Sequence, residues 1–215
     1  MFMAQLSVAQ APPPGGPPSG QPPGAGGPPG GPRAGGGMPT ASKDPAAAPA
    51  GNYTIDLEHS SVVARVIHQG MSYNVMRFAV KQASLAWDAA NPAKIKLEVT
   101  VSTKPITDPI TYRIKLESDT FLDSDKFPEA KFVSTAVRAT GGNRYEVDGQ
   151  LTLLGVTKPA QIQATLVGAR SSEGGASGVG FAGSMNINWA EFKGPGMAAS
   201  MGIVAMGLDA EFNKR

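Results

Sequence analysis

From Tyr53 onward the chain repeats every second residue, and that period confines it to extended structure. In the run from Tyr53 to Gly70, Val62, Ala64, Val66 and His68 fall on one face of an extended chain. Val63, Arg65 and Ile67 fall on the other. Alternate side chains of a strand point to opposite faces, so one row lines an interior while the other meets solvent or lipid. His68 ends an otherwise apolar inward row. That pattern suits a ligand with a greasy tail and a polar head.

The same period recurs along the chain. Ile95, Leu97, Val99 and Val101 alternate with Lys94, Lys96, Glu98 and Thr100. Residues 132–137 read as a strand. Tyr145, Val147, Gly149, Leu151 and Leu153 share a face, as do Ile162, Ala164 and Leu166. Val179, Phe181, Gly183, Met185, Ile187 and Trp189 form another row, and a last strand is predicted over 203–212. Turn residues separate these runs at 89–92, 141–143, 155–159, 171–178 and 194–196. Residues 112–127 read either as a short helix or as a strand edge. About eight strands with short turns and no alternation with helices predict an antiparallel barrel or a sandwich. Small inward residues (Ala64, Gly149, Ala164, Gly183) favour a barrel with room for one slender ligand. A fully packed sandwich has the same pattern.

Composition divides the chain. Thirteen of the nineteen prolines precede residue 51. A Pro/Gly/Ala tract without apolar periodicity cannot offset its ordering entropy, so residues 12–50 are expected to be a disordered tail and 51–215 a single domain. Residues 1–11 end in Ala9-Gln10-Ala11, which resembles the cleavage end of a secretory signal, although the basic start and the apolar run of such a signal are missing. The net charge of +2 and the lack of a basic cluster with interleaved aromatics argue against a nucleic-acid partner. With no cysteine, disulfides, thiol nucleophiles and Cys-based metal centres are excluded. The two histidines, His59 and His68, have opposite strand parity and no paired carboxylates, so no metal site is expected. No triad spacing and no phosphate-binding loop is visible, so no catalytic residue is assigned.

Four segments together resemble a known family. They are Tyr53-Thr54-Ile55-Asp56 with His59-Ser60; residues 62–70, ending His68-Gln69-Gly70; Phe121-Leu122-Asp123-Ser124-Asp125-Lys126-Phe127-Pro128-Glu129-Ala130; and Gly149-Gln150-Leu151-Thr152-Leu153-Leu154-Gly155-Val156-Thr157-Lys158-Pro159. In order and spacing they resemble the YceI-like, lipocalin-like polyisoprenoid-binding proteins of the bacterial periplasm, over about residues 52–213. The resemblance implies an all-β fold with a short helical element: an eight-stranded antiparallel barrel around an apolar tunnel. It implies no catalysis and no cofactor beyond a bound polyprenyl lipid, quinone or similar amphiphile. It also implies export to the periplasm, transient membrane contact, and in some members a homodimer. One departure is the lack of an Arg after Asn188, where Trp189 stands before a Met-rich stretch (Met197, Met201, Met206).

The expected ligand-binding residues are Val62, Ala64, Val66, His68, Phe78, Phe132, Leu151, Leu153, Phe181 and Trp189. The four aromatic residues among them read equally as tunnel wall or as plain core. His68 and Lys158 are the head-group candidates. The structural alternatives are a strand-end histidine and a turn at Thr157-Lys158-Pro159 whose proline ends a strand. Two other functional classes fit the pattern: a secreted β-sandwich interaction module with a filled core, and an enzyme acting on the lipid through His68.

Overall fold

The computed structural model describes residues 41–107, 110–171, 177–193 and 201–215. The expectations for residues 1–11, for most of the Pro/Gly tail and for Met197 lie outside them. Residues 39–215 form one compact unit.

The strands are β1 (Gly51–Ile55), β2 (Ser61–His68), β3 (Ser72–Trp87), β4 (Lys96–Pro105), β5 (Glu129–Gly141), β6 (Arg144–Leu153), β7 (Val156–Arg170), β8 (Gly178–Asn188) and β9 (Ile203–Lys214). Helix α1 (Ile110–Glu117) lies between β4 and β5, and the four-residue α2 (Ala190–Lys193) follows β8. The sheet runs β1-β3-β2-β9-β8-β7-β6-β5-β4 and closes through β3–β4 and β1–β9. It is therefore a barrel, not a sandwich. β1 and β2 both pair antiparallel with β3 and with β9, β1 near one end of the wall and β2 near the other. Together they make one interrupted stave, so nine strands build an eight-staved barrel.

The interruption, residues 56–60, is held to β9. The Asp56 N–H donates to Glu211 O at 2.7 Å, and the Glu211 N–H donates to Ser60 Oγ at 3.1 Å. Asp56 Oδ1 accepts from the N–H groups of Glu58 and His59, closing a local Asx-type turn. His59 Nδ1 lies 3.0 Å from Asp56 Oδ2. This hydrogen bond, reinforced by the carboxylate charge, raises the imidazole above its ordinary value and lowers the carboxyl below its own. The sign follows from linkage. The raised His59 contributes stability below the unfolded histidine pKa of about 6.5, and this is lost as pH rises through the folded value. The depressed Asp56 contributes above the unfolded carboxyl pKa of about 3.9, and this is lost as pH falls through its folded value. The pair is solvent-screened, so a small effect is expected. NMR titration should place His59 above its ordinary value, and Asp56→Asn should bring it back down. Equal titration in both proteins would remove the pair from the account.

Two features depart from the sequence expectations, and one open reading is resolved. The ordered domain begins before residue 51: Ser42 bridges to Ala169, Ala48 is buried, and the Tyr53 hydroxyl donates to Pro49 O at 2.6 Å. Composition hides this, because the segment is held by the barrel wall rather than by apolar periodicity of its own. Residues 112–127 resolve into the end of α1 and a run of turns. Ser124, fully buried, donates from Oγ to Thr103 O at 3.0 Å, and Thr103 Oγ1 donates to Phe127 O at 2.6 Å. These bonds fix the turn run against β4.

Finally, Thr157, Lys158 and Pro159 lie within β7 instead of forming a turn. The turn is Leu154-Gly155, both at positive φ, the geometry of a two-residue type I′ hairpin. β7 pairs with β8 only between Gln163↔Ser184 and Arg170↔Gly178. Counting alternate bonds from the hairpin, the Pro159 nitrogen faces away from β6, on the side with no ladder partner, so the missing N–H costs nothing there.

Candidate ligand-binding site

Two cavities lie end to end inside the barrel. The first has a volume of about 120 Å³ and the second about 90 Å³. Val62, Val99, Ile162 and Leu208 line both and form a waist between them. The first cavity extends to α1 and the following turns, where Leu116, Phe121 and Leu122 project into it. Fixing that turn run to β4 thus also positions an apolar lid on the cavity. The second cavity ends at an aromatic cluster. Trp87, Tyr145 and Phe181 pack edge to face with centroids 5.5–6.0 Å apart. Burial raises the Tyr145 phenol above its ordinary value.

Among the described residues, the first cavity is lined by no Asp, Glu, His, Lys, Arg or Tyr. Its two hydroxyls are engaged with backbone: Thr103 with Phe127 O, and Ser102 with Lys104 N–H at 3.1 Å. One polar group is left over. Trp189, 5 % exposed, has no hydrogen-bond partner for Nε1 among the described residues. Nε1 of Trp87, a residue that lines the second cavity, likewise has no partner among the described residues. A buried N–H without an acceptor costs about 1–3 kcal/mol, so each indole carries an unmet donor.

Eight of the ten expected tunnel residues line the first cavity: Val62, Ala64, Val66, Phe78, Phe132, Leu151, Leu153 and Trp189. Phe181 lines the second. His68 lines neither. The buried row of β2 ends at Val66, and His68 is exposed where the β2–β3 hairpin runs past its pairing with β9. Lys158 shares the inward parity of Ala160 and Ile162 and is half-buried. Four residues beyond Ile162, it stands about 13 Å from the waist along the strand, toward the first cavity's end.

Sequence reasoning missed Trp87 and Met76, whereas the Met-rich stretch read there as an adaptable wall supplies Met201 and Met206. Trp87 belongs to the row Ala83, Leu85, Trp87, but β3 carries register shifts between Phe78 and Gln82. A bulge flips parity, so a period counted from Phe78 puts Trp87 on the wrong face. Met76, Met185, Met201 and Met206 all line the first cavity. Of these, Met185 could have been found from its place in the β8 row. Gly149 also departs from expectation. It does not leave space for a ligand, because the Phe132 ring occupies the place of its missing side chain.

Among the described residues, no three His, Asp or Glu side chains gather as metal ligands.

The family model described as YceI-like domain matches residues 53–212. A UPF0312 protein of Pseudomonas savastanoi pv. phaseolicola is 40 % identical over 162 residues, covering 73 % of this chain and 84 % of the relative. A UPF0312 protein of Shewanella baltica is 38 % identical over 151 residues, covering 69 % and 79 %. Among solved structures, Burkholderia cenocepacia BcnA superposes with a TM-score of 0.61 at 24 % identity, over 75 % of this chain and 99 % of that one. A polyisoprenoid binding domain from Saccharophagus degradans, implicated in plant cell wall breakdown, gives 0.52 at 13 % identity over 76 % and 98 %. At these identities the two structures speak to the fold alone.

Proposed function

The chain belongs to the YceI-like domain family, and on that premise we propose that it is a non-enzymatic carrier or store for a polyisoprenoid, a quinone or a similar amphiphile in the bacterial periplasm. The observation that carries this reading is the pair of apolar cavities stacked inside a closed barrel. The fold-level likeness to a polyisoprenoid binding domain supports it. The apolar lining of the first cavity, free of ionisable groups among the described residues, favours binding over catalysis.

The physics of a carrier fits such an interior. Burying a prenyl chain from water gains about 0.8 kcal/mol per methylene, and a bilayer offers much the same. Transfer from bilayer to barrel is then near neutral, while free passage through water is strongly disfavoured. The cavities are small for a long chain. Threading one through requires the four waist side chains to part and the methionines to repack, for which their flexible thioethers are suited. The tail occupies the tunnel, and the head lies toward Lys158 and Trp189.

Extraction of the purified, natively exported protein followed by mass spectrometry tests this reading. A stoichiometric prenyl lipid or quinone is the expected result. No apolar ligand, together with no uptake of added prenyl lipids, would sink it. Trp189→Phe gives a finer prediction. Losing one neutral hydrogen bond of about 1 kcal/mol should weaken a carbonyl-bearing prenylquinone roughly fivefold and leave a plain hydrocarbon such as squalene unaffected. Equal loss for both ligands would make Trp189 only a wall.

A further inference from the structure

The end of the barrel that holds the first cavity also carries an exposed apolar surface. The β2–β3 hairpin projects past its neighbours there, since β2 pairs with β9 only as far as Arg65↔Ala205. On its outer face Ile67 pairs with Tyr73 and Arg65 with Val75, and Met71 sits at the tip. Met71 is 77 % exposed, and Ile67, Tyr73 and Val75 are each about half exposed. Helix α1 lies beside this hairpin. The Ile106 N–H donates to Arg77 O at 2.7 Å and the Arg77 N–H donates to Thr107 Oγ1 at 3.2 Å, so the segment leading into α1 is tied to the base of the hairpin. The helix turns Leu116 inward and leaves Ile110 and Ile114, one turn apart, exposed on its outer face.

The charge on the hairpin has one sign. Between Glu58 and Asp88 the chain contains Arg65, Arg77 and Lys81 and no carboxylate. Arg65 and Arg77 are exposed, and the Arg65 guanidinium stacks 4.7 Å over the Tyr73 ring. On α1, Lys115 is exposed, while Arg113 pairs with Glu117 at 3.8 Å. Asp108, between β4 and α1, lies outside the described residues. Apolar side chains rimmed by arginines, with an amphipathic Tyr among them, match an interface of acyl chains beneath anionic headgroups. A single exposed Leu or Val needs no explanation, but a cluster at the end of the barrel that holds an apolar cavity does.

We propose that the β2–β3 hairpin and the outer face of α1 form the surface by which the barrel docks on an anionic phospholipid bilayer, presenting the first cavity to the membrane. The inference rests on the carrier reading for its purpose but not for its test. Docking this way lets cargo pass between two apolar media without crossing water.

Co-sedimentation of the full chain with phosphatidylcholine vesicles, with and without phosphatidylglycerol, is the experiment. The wild-type protein should bind the mixed vesicles and bind pure phosphatidylcholine much less. Met71→Asp with Ile114→Asp should cut vesicle binding at least tenfold, and Arg65→Gln with Arg77→Gln should erase the preference for phosphatidylglycerol. Both pairs should keep wild-type affinity for a fluorescent prenyl probe, because none of the four side chains lines a cavity. Wild-type indifference to vesicles, or unchanged binding by the aspartate variant, would overturn the proposal. So would a stable dimer that the aspartate variant splits without any vesicle binding in the wild type, since the surface would then serve a second copy of this chain. Vesicle binding without probe uptake would instead count against the carrier reading and leave the docking surface standing.

Discussion

Ala64→Phe is expected to leave the barrel folded and to weaken binding of a long prenyl chain about a hundredfold. Ala64 lines the first cavity from the middle of β2. Its cross-strand neighbours are Met76 on β3 and Met206 on β9, both flexible side chains that can move aside for a ring. The cavity, about 120 Å³, is close in size to an apolar void of ~150 Å³ that admits benzene, so a phenyl group on residue 64 fills space that already exists. Overpacking is therefore slight, and a near-native melting temperature is expected. The ring displaces a chain segment of about four methylene-sized groups, worth ~3 kcal/mol at ~0.8 kcal/mol each, or about two decades in affinity. Titration with a fluorescent prenyl probe reads this directly. A folded Ala64→Phe protein that still binds with wild-type affinity would move the cargo out of the first cavity.

The barrel was legible from the sequence because a period of two is strict wherever one face is buried. β6 shows this most plainly: Tyr145, Val147, Gly149, Leu151 and Leu153 are all buried. Legibility fails where something other than burial sets the backbone. At 56–60 the stave breaks because Asp56 and Ser60 take over bonds that a ladder would make. In β3 a bulge reverses the faces and hides Trp87. At Pro159 a residue that signals an ending is tolerated inside a strand, because one side of β7 there has no ladder partner. His68 keeps the inward parity of its row, but the neighbouring strand stops short of it, so parity no longer means enclosure. The candidate site was readable as rows of residues. The waist, the indole donors and the lid depend on contacts between distant segments, which no single row records.

The motif glycine at 149 carries a large expected loss of stability. A Cβ built there would overlap the Phe132 ring at Cζ and Cε2 and would lie 2.6 Å from the backbone oxygen of Val133. The two overlaps differ in kind. The ring can rotate into the first cavity, whereas the carbonyl is held by the β5–β6 ladder, in which Gln150 opposes Val133 and Gly149 opposes Ser134 beside a bulge. Gly149→Ala is therefore expected to cost about 3 kcal/mol, the upper part of the overpacking range, and to lower the melting temperature by roughly 6–12 °C. Phe132→Ala alone should cost about 3–5 kcal/mol through the void it leaves. In combination the two should couple, with Gly149→Ala costing at least ~1 kcal/mol less once the ring is gone. It should not become free, because the Val133 oxygen remains. A melting temperature within a degree or two of wild type for Gly149→Ala would mean that the strand shifts easily. An equal cost with and without Phe132 would assign the whole effect to the backbone. The same substitution should also weaken cargo binding, because a displaced Phe132 ring has only the first cavity to enter.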